Sequence, residues 1–299
     1  MAIDLRGILS SQICLTTLKN NLQNHLQALS QPRDPFFSTA HYQFARYYIH
    51  QNLAQWESLR TQPFEFRGQT HFNWLLHLPP RSSHKLEDAV TLPILVGAHY
   101  DTVPGSPGAD DNASGVAVLL ELARLWSEQP GRSPLILAAF DLEEYGLVGS
   151  RFCVEQFVQA QQRLRLMLSL EMLGYYDDMP GSQRYPPGLR YFFPACGNFI
   201  GLIGNWRSLP DLIRLSEQIS RTGTAAWWLP AGERGLLLPD TRRSDHAPFW
   251  DAGYRAILVT DTANLRNPHY HQPSDRLATL NLDRLAQVCW GLFQGIQSL

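Results

Sequence analysis

The 299-residue chain is 44% hydrophobic and 17% charged and carries a formal net charge of −2. This composition excludes a disordered chain, and the balance of charge leaves no basic surplus for nucleic acid or an anionic membrane surface. No stretch approaches the ~18 consecutive apolar residues of a membrane-spanning helix.

Residues 1–29 carry Asp4, Arg6, Lys19 and His25 without a continuous apolar core, so no signal peptide is expected there. Apolar spacing predicts helices over 8–29 and 38–57, separated by Pro32 and Pro35, with Phe44, Tyr47, Tyr48 and Leu53 as a stripe facing a sheet. Residues 64–67 and 73–78 alternate as short strands, the second expected beside the strand that follows. The polar stretch 81–88, after Pro79-Pro80, predicts a loop, and His71, His77 and His84 are given no site role. The apolar run 92–98 reads as a buried parallel strand, 113–127 as a helix capped by Asp111 and Asn112, and 134–140 and 164–170 as further buried strands. Strands over 199–204, 225–229 and 256–260 follow, with a crossover helix over 209–221 and a closing amphipathic helix over 282–296. Four widely spaced cysteines, Cys14, Cys153, Cys196 and Cys289, lack a Cys-x-x-Cys and read as reduced thiols of a cytoplasmic protein. Alternating strands and helices without repeat or linker predict an α/β fold. Its central sheet is mostly parallel (mixed) and flanked by helices, in a single domain with N-terminal helices over 1–60.

Three of these strands end in acids. The strand 92–98 runs into His99-Tyr100-Asp101, then Gly108-Ala109-Asp110-Asp111-Asn112-Ala113-Ser114-Gly115. The strand 134–140 runs into Asp141-Leu142-Glu143-Glu144-Tyr145-Gly146, with Gly146 and Gly149 suited to a tight turn and Ser150 to a helix cap. The strand 164–170 ends at Glu171-Met172-Leu173-Gly174. Carboxyl ends of parallel strands are where open α/β sheets collect ligands and catalytic groups. His99 and Asp101 share one side of the strand, so Asp101 can accept a hydrogen bond from one ring nitrogen and leave the other for a metal. Two more motifs follow: Ser244-Asp245-His246-Ala247-Pro248-Phe249, and Asn267-Pro268-His269-Tyr270-His271-Gln272-Pro273-Ser274-Asp275.

Together, from about Leu92 to Asp275, these motifs resemble the zinc aminopeptidases of peptidase family M28, whose relatives include glutaminyl cyclases. The resemblance implies a zinc-dependent exopeptidase (phosphorylase/hydrolase-like) architecture and two zinc ions. One ion would be held by His99, Asp110 and Glu171, and the other by Asp110, Glu144 and His271. In the family the first aspartate of the pair bridges the ions, and the peptide bond joining the pair is cis. The resemblance makes Glu143 the general base, Asp101 the partner of His99, and Asp275 the residue that selects His271 over His269. It implies supporting roles for Asp245 and His246, and a place in the substrate pocket for Met172. Phe193, Trp227, Trp228 and Tyr175 are further candidates for an apolar pocket. Glu171 departs from the family's usual aspartate. The donor set contains imidazole and carboxylate but no thiolate, which suits an open zinc site. The activity implied is removal of N-terminal residues from short peptides. A single-zinc glutaminyl cyclase is the alternative, set against by the Asp110-Asp111 pair and by Tyr270, where the cyclases carry tryptophan. A non-catalytic scaffold is the third reading.

Overall fold

The run leading to His99 forms β3 (Ile94–His99), buried along its whole length. Its side chains divide by period two: Ile94, Val96 and Ala98 enter one core and Leu95 the other, so both faces must be covered. The computed structural model describes residues 5–81 and 91–299, and the side chains from residue 15 onward within that span. The loop expected over 81–88, with His84, therefore lies outside the described residues beyond Arg81.

β3 sits inside an eight-stranded sheet of order β1-β2-β4-β3-β5-β8-β6-β7. The other strands are β1 (Leu59–Phe66), β2 (Gln69–Leu78), β4 (Leu135–Phe140), β5 (Leu166–Glu171), β6 (Phe199–Gly204), β7 (Ala225–Pro230) and β8 (Ala256–Thr260). Parallel pairing joins β4, β3, β5 and β8, and also β6 with β7, while β1–β2, β2–β4 and β8–β6 are antiparallel. The sheet is thus mixed, with a parallel centre. The stretch 73–78 does not lie beside β3 as expected, because β4 intervenes. β4 is buried at every residue and requires neighbours on both sides, whereas β1 is largely exposed and stays at the edge.

Helices α1 (Leu5–Leu29), α2 (Thr39–Leu53), α3 (Gly115–Glu128), α5 (Leu209–Arg221) and α7 (Leu282–Ser298) cover one face. Helices α4 (Val148–Gln159) and α6 (His246–Asp251) cover the other. In α2 the buried stripe is Tyr42, Ala45, Ile49 and Leu53, while Phe44 and Tyr47 are exposed, contrary to expectation. The helix is rotated so that small Ala45 meets the core and the Tyr42 hydroxyl reaches Asp141, 2.5 Å away. Ser150 is not the cap of α4. It lies one turn inside, with its hydroxyl donating to Leu147 O at 3.2 Å.

Between α1 and α2, the proline-bounded segment places Arg33 in full burial beneath the loops that follow β3. Its guanidinium donates to the carbonyls of Tyr100 (2.9 Å), Gln31 (3.0 Å), Pro107 (2.8 Å), Gly108 (3.0 Å) and Leu29. Burial lowers its pKa to about 10, against the opposing pull of Asp275, Asp111 and other nearby acids. Next to it, Asp34 accepts the amides of Phe36 and Phe37 and the hydroxyl of Tyr145, which follows Glu144. One short arm therefore braces the loops after β3 and β4. Replacing Arg33 by alanine strands several buried carbonyls and should lower the unfolding free energy by about 3–5 kcal/mol in urea titrations. Lysine should recover little of it, because its ammonium cannot reproduce the five-donor fork.

Candidate metal centre

Each side chain of the site is delivered by the end of a strand or by a loop packed against one. β3 ends at His99 and β5 at Glu171. The turn after β4 carries Glu143 and Glu144, the kinked turn Ala109–Ser114 carries Asp111, and the loop before α7 carries His271. Asp111 stands between the two imidazoles: Oδ1 lies 3.4 Å from His99 Nε2 and Oδ2 lies 3.1 Å from His271 Nε2. Glu171 Oε1 is 3.4 Å from His99 Nε2, and Glu144 Oε2 is 3.4 Å from His271 Nε2. Two three-donor groups result, His99–Asp111–Glu171 and Asp111–Glu144–His271, each compact enough to hold one metal ion.

Asp110, expected at the shared position, points elsewhere, and Asp111 takes that place. The Asp110 carboxylate accepts hydrogen bonds from Gly174 N (2.8 Å), Asn267 Nδ2 (2.8 Å) and Ser114 Oγ (3.2 Å), which turn it into the protein. Asp111 has non-helical φ −102° and ψ 89°, so the consecutive side chains diverge. The cis peptide joins Asp111 to Asn112, one bond later than expected. Asn112 does the capping: its Oδ1 accepts the Gly115 and Met172 amides, and its Nδ2 donates to Leu170 O.

The other expected residues find these places. The Asp101 Oδ1 atom lies 3.5 Å from His99 Nδ1, and the Asp101 carboxylate also accepts the amides of Glu143 (3.0 Å) and Glu144 (3.2 Å), tying the ends of β3 and β4 together. Asp275 accepts the amides of Asp110 (2.9 Å) and Asp111 (3.0 Å). The ring in the cluster is His271, at φ 60°, while His269 bonds Ser274 and packs on Tyr175. Glu143 is buried beside both groups but belongs to neither. Within Ser244-Asp245-His246, the residue that touches the cluster is Ser244, whose hydroxyl donates to Glu171 Oε2 at 2.7 Å. His246 instead bonds Thr241 O and packs edge-on against Trp250. Sequence reading missed the contacts of Ser244 and Arg33. The Ser-Asp-His signature pointed to the former, and an arginine between two prolines was the faint signal of the latter. Gly108 is required by geometry, since at φ 58° a Cβ there would meet the Asp111 carbonyl at 2.2 Å.

A cavity of about 360 Å³ opens beside Glu171 and Ser244. Phe193, Trp227 and Trp228 line it as expected, together with Tyr185, Leu202 and Leu238. Met172 does not. It is fully buried in the core at φ 50°.

Burial raises the proton affinity of most of these acids. Burial raises Glu144 to about 7, with the charge of Asp111 adding to it and His271 opposing. Burial likewise pushes Glu143 and Glu171 up against the opposing pull of His99, and it lifts Asp245 and Asp275 to about 7. Burial alone would lower both histidines. The surrounding carboxylates overcome it, holding His271 at about 10 and His99 well above the usual range. For Asp111 the two imidazoles outweigh burial, and its pKa falls below the ordinary carboxylate range.

The sheet order, the flanking helices and the acid-and-histidine cluster at the carboxyl edge define an α/β fold of the metallopeptidase type. Residues 79–194 match the model described as peptidase family M28. It is 35% identical to the uncharacterized protein YfbL of Escherichia coli over 67% of this chain and 64% of the relative. BSAP, a zinc aminopeptidase from Bacillus subtilis, is 25% identical in its solved structure, which covers 78% of this chain and 51% of that one with a TM-score of 0.56. The LapA aminopeptidase of Legionella pneumophila, 18% identical, shares the fold over all of this chain and 76% of its own, with a TM-score of 0.70. The chain spans less than two thirds of the length of the curated relatives it matches. Among the described residues no helix is long and apolar enough to cross a membrane.

In the metal-free protein His271 titrates near 10 folded against ~6.5 unfolded, and Glu144 near 7 against ~4.5. Both bind more protons when folded, so the stability they contribute is complete at low pH. It is lost as pH rises through about 7 for Glu144 and about 10 for His271. Thermal melts of chelated protein should therefore fall between pH 5 and pH 9, and saturating zinc should flatten that slope.

Proposed function

We propose that the chain is a zinc-dependent exopeptidase, an aminopeptidase that removes N-terminal apolar residues from short peptides. The observation that carries this reading is one carboxylate, Asp111, offering one oxygen to each of two imidazole-and-glutamate groups, with a buried glutamate beside them that joins neither. The residues fit a pair of cations. Buried carboxylates outnumber the two imidazoles, and Glu144 Oε1 is buried with no hydrogen-bond partner. Imidazole and carboxylate donors without thiolate suit zinc in an open catalytic site, and the likeness to BSAP, a zinc aminopeptidase, supports the same metal.

In this reading His99, Asp111 and Glu171 would hold one ion, and Asp111, Glu144 and His271 would hold the other. Zinc, when bound, supplies Lewis acidity and a water of lowered pKa. Asp101 keeps His99 in position and fixes the Glu143-Glu144 backbone, so it acts by orientation. Glu143 has no ligand duty and serves as general base, taking the proton of the attacking water and returning it to the leaving amine. The substrate's first side chain enters the cavity walled by Phe193, Trp227, Trp228 and Leu238, which excludes water from that flank. Glu171 borders both the cavity and the cluster, where an unblocked α-amino group meets negative charge.

Unblocked peptides such as Phe-Ala amide should be cleaved with zinc supplied and spared after chelation, while N-acetylated forms resist. Cleavage of the acetylated peptides would sink the aminopeptidase reading. Glu143→Gln should lower kcat by about 10²–10⁴-fold with zinc retained. Metal analysis after dialysis separates the adjacent acids: Asp111→Asn should lose zinc, and Asp110→Asn should keep it. The reverse pattern would reassign the shared ligand to Asp110.

A further inference from the structure

The guanidinium of Arg243 stands at the mouth of the apolar cavity and straddles both halves of the site. Its chain neighbour Ser244 bonds Glu171, and its own Nη2 donates to the Tyr270 hydroxyl at 3.0 Å. Tyr270 stacks on His271 with ring centres 3.7 Å apart, and the Arg243 cation lies 5.5 Å from the centre of the Tyr270 ring. Its remaining contact, from Nη1 to Asn264 Oδ1 at 3.2 Å, is also with a neutral group. No carboxylate lies within ion-pair distance of Arg243 among the described residues, although Asp240 lines the same cavity. Arg243 is also the one cation among the described residues of that lining. It is exposed, unlike the buried walls Leu202 and Leu258, so it faces what projects from the cavity and not what fills it.

A guanidinium has five donors in a planar fork, and two neutral contacts leave an edge available to a carboxylate. We infer that Arg243 is a specificity-determining residue that binds a carboxylate on the substrate residue following the scissile bond, so the preferred substrates are dipeptides with a free C-terminus. This rests on the exopeptidase reading above and adds the length of the substrate to it. The first side chain fills the cavity, the amino end meets the acids, and the carboxylate one residue on reaches the mouth. An acidic side chain at that second residue offers the same chemistry.

The test compares kcat/KM for Phe-Ala, Phe-Ala amide, Phe-Asp amide and Asp-Ala amide in the zinc-loaded full chain. Phe-Ala should exceed its amide by on the order of 10- to 100-fold, mostly through KM, as expected of a hydrogen-bonded charge pair. In Arg243→Gln that ratio should fall to about 1, and in Arg243→Lys, which keeps the charge but not the fork, it should be intermediate. Phe-Asp amide cleaved as well as Phe-Ala supports a carboxylate from either source. Phe-Asp amide cleaved only as well as Phe-Ala amide supports the chain terminus as the group recognised. A wild-type ratio near 1 overturns the inference without recourse to any variant, as does a ratio unchanged in a folded Arg243→Gln protein. Preference for Asp-Ala amide over Phe-Ala amide also overturns it, by placing the guanidinium on the first side chain. Cleavage of none of the four would remove the exopeptidase reading itself, whereas cleavage of the amides without preference removes only the role of Arg243.

Discussion

The burial of several carboxylates at one edge of the sheet is the constraint on which this site depends. Asp111, Glu143, Glu144 and Glu171 converge at the carboxyl edge of the sheet within reach of two imidazoles. Unpaired, such charges are costly in a low-dielectric interior, so they are either protonated or neutralised by bound cations. The raised proton affinity of Glu144 and His271 expresses the first outcome. The donor set provides for the second.

The backbone that holds these groups is fixed by a further layer of acids used as acceptors. Asp101 receives the amides of Glu143 and Glu144, Asp275 those of Asp110 and Asp111, and Asp110 the amide of Gly174. Each bond joins the end of one strand or turn to another, so the strand ends cannot drift apart independently. Arg33 performs the complementary task with donors, binding the carbonyls of the loop after β3. Residues far apart in the chain thus act on one edge of the sheet. Left-handed backbone at Leu142, Met172 and His271, each next to or within the cluster, marks where this network sets conformations that side chains seldom adopt.

The apolar cavity adds a different environment on one flank. Its tryptophans and Phe193 line the same cavity as Glu171, so an apolar wall stands on one side and charge is concentrated on the other.

Much of the architecture was legible in the chain because it is set by local pattern. The buried runs that became β3, β4 and β5 are continuous apolar stretches broken by acids at their ends, and α3, α5 and α7 follow from apolar spacing of 3.6 residues. The sequence by itself also determined which types of donor gather at the edge: His99, Glu144, Glu171 and His271 stand in one cluster as its motifs implied. Only the tertiary structure decided which of two adjacent aspartates faces that cluster. The answer rests on Gly174 and Asn267, distant donors that hold Asp110 together with nearby Ser114, while the backbone at Asp111 leaves helical angles. The same is true of the place of β4 between β2 and β3, the rotation of α2, and the burial of Arg33. None of these is encoded by a local period. Each is a competition among long-range partners for burial and hydrogen bonds, and it is settled only when the sheet assembles.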